Sequence, residues 1–437
     1  MELWRIKASI AKGRPFPAYQ DIYGAALDII NGVAFAVPTT ETIMTREITH
    51  LRTNPPPKID GGEEAIFPFP SLPLDLEAQA CIDVVDSISV AFRSPVPRLS
   101  HFLYRQTPHM RRVLKIKDNM IRRNIGKGLV RMEERVEGGK EREMRCAVDM
   151  ILLREKAIAQ KAGIKPDYYR PAIQGEVGLQ IIISLPPRGR SFQAQLTPIQ
   201  LFGYIVGGHD TTSTTLTWWV KFAAHAQHAQ IRLRQALHEA FPNAVSSRTA
   251  PTVTDITRTQ VPYLDAFIEE TLRHSKTLPV TSRQPIANTQ ILGVPIPKGT
   301  TVMMISHGAS ILYPAIAVDE KKRTEAAKAA KDRYGVWDPE NVREFLPERW
   351  LKVEKGADGV EGVVYDSTAG PQMAFGGGPR GCFGRRLAYL ELRIAIALLT
   401  WNFEFGELSE ELNHMAGKES LTTMPEVCYV NLRPVKY

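Results

Sequence analysis

Apolar residues recur every three or four positions along most of the chain, a spacing that predicts amphipathic α-helices. The pattern is clearest in residues 19–35, 76–92, 103–153, 196–226 and 262–274. Strands are predicted only in short segments where apolar and polar residues alternate. The sequence therefore predicts a mainly α fold with a small β-sheet, an α+β class.

The alternating segments lie in the second half of the chain. Residues 290–294 and 300–305 flank a segment rich in proline and glycine, which predicts a hairpin of the small sheet. Further short strands are predicted within 402–410 and 421–433. Three consecutive prolines and a Gly-Gly pair in residues 53–74 predict a loop.

Charge and cysteine content narrow the class of protein. The net charge is +8, which suits acidic partners or anionic membrane surfaces, and no nucleic-acid-binding module accompanies it. Mixed-sign charge runs in 103–153 predict a solvated helix face, with contact to lipid headgroups as the alternative. The four cysteines are far apart in sequence, which argues against a disulfide framework and favours a reducing compartment. No apolar run reaches the ~18 residues that span a bilayer.

The strongest candidate for chemistry is the glycine-rich loop 375–384, which contains Cys382 and Arg380 and directly precedes a predicted helix. Glycines allow a flat ligand to lie against the main chain, and a helix start near the sulfur favours a thiolate. A phosphate-binding loop is excluded because no Gly-Lys-Ser/Thr ending follows. A zinc site is excluded because the loop has no second cysteine or nearby histidine.

A second candidate is the glycine pair Gly207-Gly208 inside the long helix predicted for 196–226. Each glycine costs a helix about 1 kcal/mol relative to alanine. Such a cost indicates close approach to the helix backbone, either of a ligand or of another helix. The predicted helix begins at Leu196-Thr-Pro198, a suitable start signal.

A third candidate is the pair Glu270 and Arg273, which lie three residues apart on one face of the helix predicted for 262–274. Such a pair alone is usually a surface feature.

Taken together, these segments resemble the cytochrome P-450 family of haem-thiolate monooxygenases, of the eukaryotic microsomal and fungal type. Phe375, Gly378, Arg380, Cys382 and Gly384 match the F-x-x-G-x-R-x-C-x-G haem-binding loop. Three further motifs of the family follow in the expected order: [A/G]-G-x-[D/E]-T-T at 207–212, E-x-x-R at 270–273 and P-E-R-[F/W] at 347–350.

The resemblance implies a role for each matching residue. Cys382 would be the axial iron ligand of haem b. Asp210 and Thr211 would manage protons, with Thr211 bonding back to a carbonyl and opening a groove for dioxygen beside Gly207 and Gly208. Arg283 and Arg380 would contact the haem propionates. Glu270, Arg273 and Arg349 would form a buried scaffold cluster.

The resemblance also implies an activity. The expected enzyme activates O2 and hydroxylates a small apolar organic substrate, using electrons from an NADPH-dependent reductase. Family members act in secondary metabolism and sit on the endoplasmic reticulum membrane facing the cytosol. This chain would then be cytosolic or in peripheral membrane contact. Two alternatives stay open: a haem-binding pseudo-enzyme, and a non-redox haem-thiolate isomerase.

The resemblance is good over residues 196–437 and weak over 1–195. A single domain, 1–437, is expected because the motifs must converge on one cofactor, with residues 320–333 as an exposed helical insert. The membrane-anchoring helix and first strands of the family are not found in the sequence. The W-x-x-x-R haem contact is not found at Trp4, because the residue four positions later is Ala8. The expectation is an amino-terminally truncated member, lacking helices and strands that usually come first.

Overall fold

The computed structural model describes residues 1–56, 62, 65–70, 72–92, 94–137, 145–169, 201–356 and 359–435. Within these ranges the chain is mainly helical, with short antiparallel sheets of two strands each. This confirms the predicted α+β class. The predicted helix start at 196–198 lies outside the described residues.

The helices of the described ranges are numbered here in chain order. They are α1 Glu2–Ala11, α2 Tyr19–Phe35, α3 Ile43–Thr53, α4 Leu76–Phe92, α5 Pro97–Arg105, α6 Pro108–Glu137, α7 Ala147–Lys161, α8 Leu201–His225, α9 Gln227–Ala240, α10 Pro242–Ser246, α11 Val253–Arg258, α12 Pro262–His274, α13 Glu325–Lys331, α14 Arg385–Asn402 and α15 Glu410–Asn413.

The strands follow the same convention. They are β1 Phe16–Pro17, β2 Val280–Arg283, β3 Thr289–Ile291, β4 Val294–Ile296, β5 Val302–Ile305, β6 Leu351–Lys355, β7 Glu361–Tyr365, β8 Phe403–Phe405, β9 Gly417–Glu419, β10 Thr423–Pro425, β11 Tyr429–Val430 and β12 Leu432–Pro434. The pairs are β1 with β11, β2 with β5, β3 with β4, β6 with β7, β8 with β12 and β9 with β10.

The chain divides into two compact units. The first unit comprises residues 1–19, 58–69 and 214–437, and the second comprises 20–57 and 70–213. In the second unit α4 packs on α5 and α6, and α6 packs on α7. Arg131 and Asp149 form an ion pair between α6 and α7 at 2.7 Å.

The centre of the first unit is α12, of which ten consecutive or near-consecutive residues are buried. It packs against α9, α14, β7 and the short 3-10 helix Pro347–Trp350. Ala266 of α12 forms a core cluster with Trp337, Val342 and Trp350. This packing surrounds the Glu270 side of the helix with large aromatic rings, so any charge placed there must be fully hydrogen-bonded.

Sequence signals place several helix bounds well. Helices α2, α4 and α12 have the predicted ends, because proline starts α12 and apolar spacing runs the full length of the other two. Within 103–153 the described residues are mainly helical, as predicted, and they belong to three helices, α5, α6 and α7. The charged segment 320–333 forms a 3-10 turn and α13, neither of which contains a buried residue.

The predicted hairpin between 290–294 and 300–305 is wrong. Strand β3 turns at Leu292 and Gly293 and pairs with β4, whereas β5 pairs with β2, with Val280 opposite Ile305. Leu292 and Gly293 both have positive φ, 52° and 82°, which is the geometry of a two-residue type I′ turn. The turn therefore comes before the proline-glycine segment, because a leucine accepts the left-handed backbone that usually marks glycine or asparagine.

None of the helices in the described ranges is both long enough and apolar enough to cross a bilayer.

Candidate functional site

The cysteine loop of the first unit is a tight, glycine-shaped turn. Gly376 and Gly378 have positive φ angles of 61° and 64°, which side chains rarely adopt. The Cys382 amide donates a hydrogen bond to the Phe375 carbonyl at 2.9 Å, and the Gly381 amide donates to the Gly378 carbonyl at 3.0 Å. These bonds close the loop on itself and leave the Cys382 side chain exposed at its surface.

Helix α14 starts directly behind the loop. Gly384 is its N-cap residue, and its carbonyl accepts the Ala388 amide at 2.9 Å. The Phe375 ring packs on the Tyr389 ring with centroids 5.2 Å apart, and the Arg385 guanidinium lies 5.7 Å from the Phe375 ring centroid. The loop is therefore held from behind by the first turns of the helix that follows it.

The structure brings together Glu270, Arg273 and Arg349. Arg273 donates to both carboxylate oxygens of Glu270, at 2.7 and 2.8 Å, and Arg349 Nε donates to Glu270 Oε1 at 3.0 Å. The Leu346 amide and the Trp350 indole also donate to this carboxylate, at 2.8 and 2.9 Å. Oε1 of this buried anion thus accepts three hydrogen bonds and Oε2 accepts two.

The guanidinium of Arg273 also binds three backbone carbonyls. Its donors reach the carbonyl oxygens of Ile311, Val342 and Glu344, and its side chain is fully buried. Arg349 adds bonds to the side chain and carbonyl of Asn341. Burial alone would raise the pKa of Glu270, but the hydrogen bonds from Arg273 hold that pKa well below its ordinary value.

A second buried carboxylate, Glu269, directly precedes Glu270 and was not predicted from the sequence. It is buried and accepts hydrogen bonds from the hydroxyls of Tyr365 and Tyr389, at 2.9 and 2.5 Å, and from the side-chain amide of Gln372. Burial raises its pKa. The only sequence signal was a second glutamate beside Glu270, and nothing in the sequence indicated the partners, which are 96 to 120 residues away.

In the second unit, the two glycines of α8 have different surroundings. A Cβ atom at Gly208 would lie 2.3 Å from the Ile30 side chain of α2, whereas one at Gly207 would meet nothing within 4 Å. Gly208 is therefore where α2 crosses α8 closely. The backbone beside Gly207 is open, and the Thr211 hydroxyl donates to the Gly207 carbonyl at 2.6 Å, the back-bond expected from the sequence.

His209 lies between these glycines and Asp210 and is fully buried. Its Nε2 is 2.7 Å from the Tyr23 hydroxyl, and its Nδ1 is 3.0 Å from the Ile205 carbonyl. Burial lowers the pKa of His209 to about 4, so the ring is neutral at pH 7. With Nδ1 donating to Ile205, Nε2 is left to accept from Tyr23.

The other residues of interest are placed as follows. Asp210 is buried in α8 of the second unit. Arg380 ends the 3-10 helix Gly378–Arg380 within the cysteine loop. Arg283 lies on β2 opposite Val302, and its guanidinium donates to the Ser282 carbonyl at 2.8 Å.

The cysteine loop fits a haem. Cβ atoms at Gly376, Gly377 and Gly378 would meet nothing within 4 Å, so this stretch of backbone is accessible to a flat ligand. Cys382 supplies a thiol at the loop surface, and thiolate is one of the axial ligands by which proteins hold haem iron. Across the described ranges, no group of three or more His, Cys, Asp or Glu side chains could hold a bare metal ion.

Comparison with known proteins agrees with this geometry. The cytochrome P-450 family profile matches residues 187–310 and 334–431. The chain is similar to the cytochrome P-450 monooxygenase TRI13 of Fusarium sporotrichioides, with 36% identity over all of this chain and 72% of the relative. It is also similar to the cytochrome P-450 monooxygenase GME11363 of Pestalotiopsis microspora, with 28% identity over 99% of this chain and 70% of that protein.

A third relative is the Hps1-dma1 cluster cytochrome P-450 monooxygenase cyp3.1 of Dothistroma septosporum. It is 35% identical over 66% of this chain and 86% of its own length.

Proposed function

The chain belongs to the cytochrome P-450 family and is a monooxygenase of that type, and from this premise we propose that it hydroxylates a small apolar organic substrate. Haem would supply the activation of O2, and the Cys382 thiolate would hold its iron. The observation that carries the proposal is the exposed Cys382 thiol on a glycine loop. The hydrogen bond from the Cys382 amide to the Phe375 carbonyl closes this loop.

The residues of this chain would hold and orient the cofactor. Arg380, in the cysteine loop, and Arg283, on β2, supply cations suited to the two propionate carboxylates. The Glu270 cluster fixes α12 and the segment 341–350 as a rigid scaffold. Electrons would come from an NADPH-dependent reductase, for which Arg385 and Arg386 add positive charge beside the loop.

Proton handling is proposed for Asp210 and Thr211. The Thr211 hydroxyl donates a hydrogen bond to the Gly207 carbonyl, and a hydroxyl oxygen is also a hydrogen-bond acceptor, so Thr211 would relay a proton rather than keep it. The buried Asp210 carboxyl is adjacent in sequence and can hold the proton. This assignment favours oxygenation over the non-redox isomerase, which needs no proton delivery.

Peripheral membrane contact is proposed for α5 of the second unit. The helix buries His101, which lies 3.3 Å from the Ser87 hydroxyl of α4. Leu99, Phe102 and Leu103 on its opposite side, and Val96 just before the helix, are apolar and more than half exposed. Arg111 and Arg112 follow at the start of α6 and suit anionic headgroups. Loss of liposome binding in a Leu99→Ser, Phe102→Ser double variant is the expected result.

The test of the haem assignment is spectroscopic. The purified chain, reduced under carbon monoxide, should show the difference spectrum typical of thiolate-ligated haem. Cys382→Ser should lose that spectrum. Its survival in Cys382→Ser would contradict the assignment.

The test of the proton assignment is the coupling of electron use to product. Thr211→Ala should bind haem and substrate like the parent chain but divert reducing equivalents to peroxide. Thr211→Ser keeps the hydroxyl and should restore coupling. Equal coupling in all three proteins would remove Thr211 from the mechanism, and a chain that binds haem without any turnover would support the pseudo-enzyme.

A further inference from the structure

Glu269 and Glu270 are adjacent on α12 but serve different partners. Glu270 binds two arginines, whereas the hydrogen bonds to Glu269 come from two phenols and one amide, all neutral. Both carboxylates are buried, with Glu269 only 5% exposed. A buried carboxylate is costly unless its oxygens are bonded, so the three donors must be held in place around Glu269.

The partners of Glu269 lead to the cysteine loop from two directions. Gln372 lies in the segment that enters the loop, three residues before Phe375. Tyr389 lies on the first turns of α14, which leaves the loop. One carboxylate therefore ties both ends of the segment that contains Cys382.

Tyr389 also connects Glu269 to the cysteine through Phe375. The Tyr389 ring packs on the Phe375 ring at 5.2 Å, and the Phe375 carbonyl accepts the Cys382 amide at 2.9 Å. Loss of the hydrogen bond from the Tyr389 hydroxyl would allow the Tyr389 ring to move. The Phe375 ring that packs against it belongs to the residue whose carbonyl closes the loop.

We propose that Glu269 is the positioning residue of the Cys382 loop, acting through Tyr389 and Gln372. Its function is to fix the backbone that holds the thiolate. The proposal rests on the proposed function in one respect, the assignment of Cys382 as haem ligand. The hydrogen bond from the Cys382 amide to the Phe375 carbonyl does not depend on that assignment and can be measured without haem.

The chain offers a matched control. Tyr365 donates to the same oxygen, Glu269 Oε1, as Tyr389 does, but it lies on β7. Tyr365→Phe and Tyr389→Phe therefore remove the same type of bond from the same acceptor. Only Tyr389 packs its ring on Phe375, so the two variants separate general loss of stability from loss of loop position.

The first measurement is hydrogen exchange of the Cys382 amide in the full chain. Tyr389→Phe and Glu269→Gln should each speed exchange by roughly tenfold or more, because a hydrogen bond to a charged group is worth about that factor. Tyr365→Phe should leave exchange at Cys382 within about twofold of the parent. Equal exchange in Tyr365→Phe and Tyr389→Phe would overturn the proposal.

The second measurement is the spectrum of the reduced, carbon-monoxide-bound haem protein over time. Tyr389→Phe should lose the thiolate-type band roughly tenfold faster than Tyr365→Phe, on the same reasoning. Equal rates would also overturn the proposal. If the parent chain shows no thiolate-type band, the proposed function fails, and the exchange measurement alone decides the role of Glu269.

Discussion

The adjacent glycines of α8 allow one contact to be measured against its own control. Gly208→Ala places a Cβ 2.3 Å from Ile30 Cδ1 and 2.7 Å from Ile30 Cγ1, whereas Gly207→Ala places one in open space. Ile30 is fully buried, so its side chain has little room to turn away. Both substitutions act on neighbouring positions of the same helix.

The two variants share the gain in helix propensity and differ in the cost of packing against Ile30. Replacing glycine by alanine inside a helix stabilises it by about 1 kcal/mol at either position. At Gly208 the extra methyl group overpacks the contact with Ile30, which typically costs 1–3 kcal/mol. Gly207→Ala should therefore raise the free energy of unfolding by about 1 kcal/mol. The difference between the two variants should be about 1–3 kcal/mol.

Urea unfolding followed by tryptophan fluorescence measures this difference, provided the slope of free energy with urea stays the same. Ile30→Val removes the methyl group nearest to the new Cβ. In that background the cost of Gly208→Ala should shrink. Equal stabilities for Gly207→Ala and Gly208→Ala, or a cost at Gly208 that Ile30→Val leaves unchanged, would refute the close crossing of α2 and α8.

Four further predictions concern buried groups. Glu270→Ala should lower stability by roughly 3–5 kcal/mol, since it leaves paired arginines without their anion, while Glu325→Ala on exposed α13 should change it little. The parent should lose the Glu270 contribution as pH falls below the ordinary value of 4.5, because the pKa is lowered in the folded state. Between pH 6.5 and 4 His209 becomes protonated in the unfolded chain but not in the folded one. The free energy of unfolding of the parent should therefore fall by roughly 3 kcal/mol across that range, a loss that His209→Gln should not show. Urea unfolding at the two pH values measures the difference. Gly370→Ala would put a Cβ 2.3 Å from the Trp337 ring and should lower the urea midpoint, whereas Gly362→Ala meets nothing within 4 Å and should not.

Local signals in the sequence were enough to place helices α2, α4 and α12 and the motif residues. Proline at Pro262 and continuous apolar spacing gave correct bounds, because helix ends depend on nearby residues. The spacing of Glu270 and Arg273 and the P-E-R-W segment anticipated side chains that do meet, although 79 residues separate Glu270 from Arg349.

What the sequence could not supply were partners set by packing alone. The bonds of Glu269 to Tyr365 and Tyr389, and that of His209 to Tyr23, join residues far apart in sequence with no spacing rule between them. Strand pairing failed for a related reason. The register of β3 depends on the positive φ of Leu292, a backbone conformation that a leucine in the sequence does not predict.

The carbonyl bonds of Arg273 have a consequence for how this protein can be altered. The guanidinium holds the chain at Ile311 and again at Val342 and Glu344, so both ends of the intervening segment are fixed to α12. The family match stops at residue 310 and resumes at 334. Lengthening a loop whose ends are already fixed costs only about 0.6 kcal/mol per doubling. A tag or reporter peptide inserted within 320–333 should therefore be tolerated, which gives a route to labelling the protein away from both chain ends.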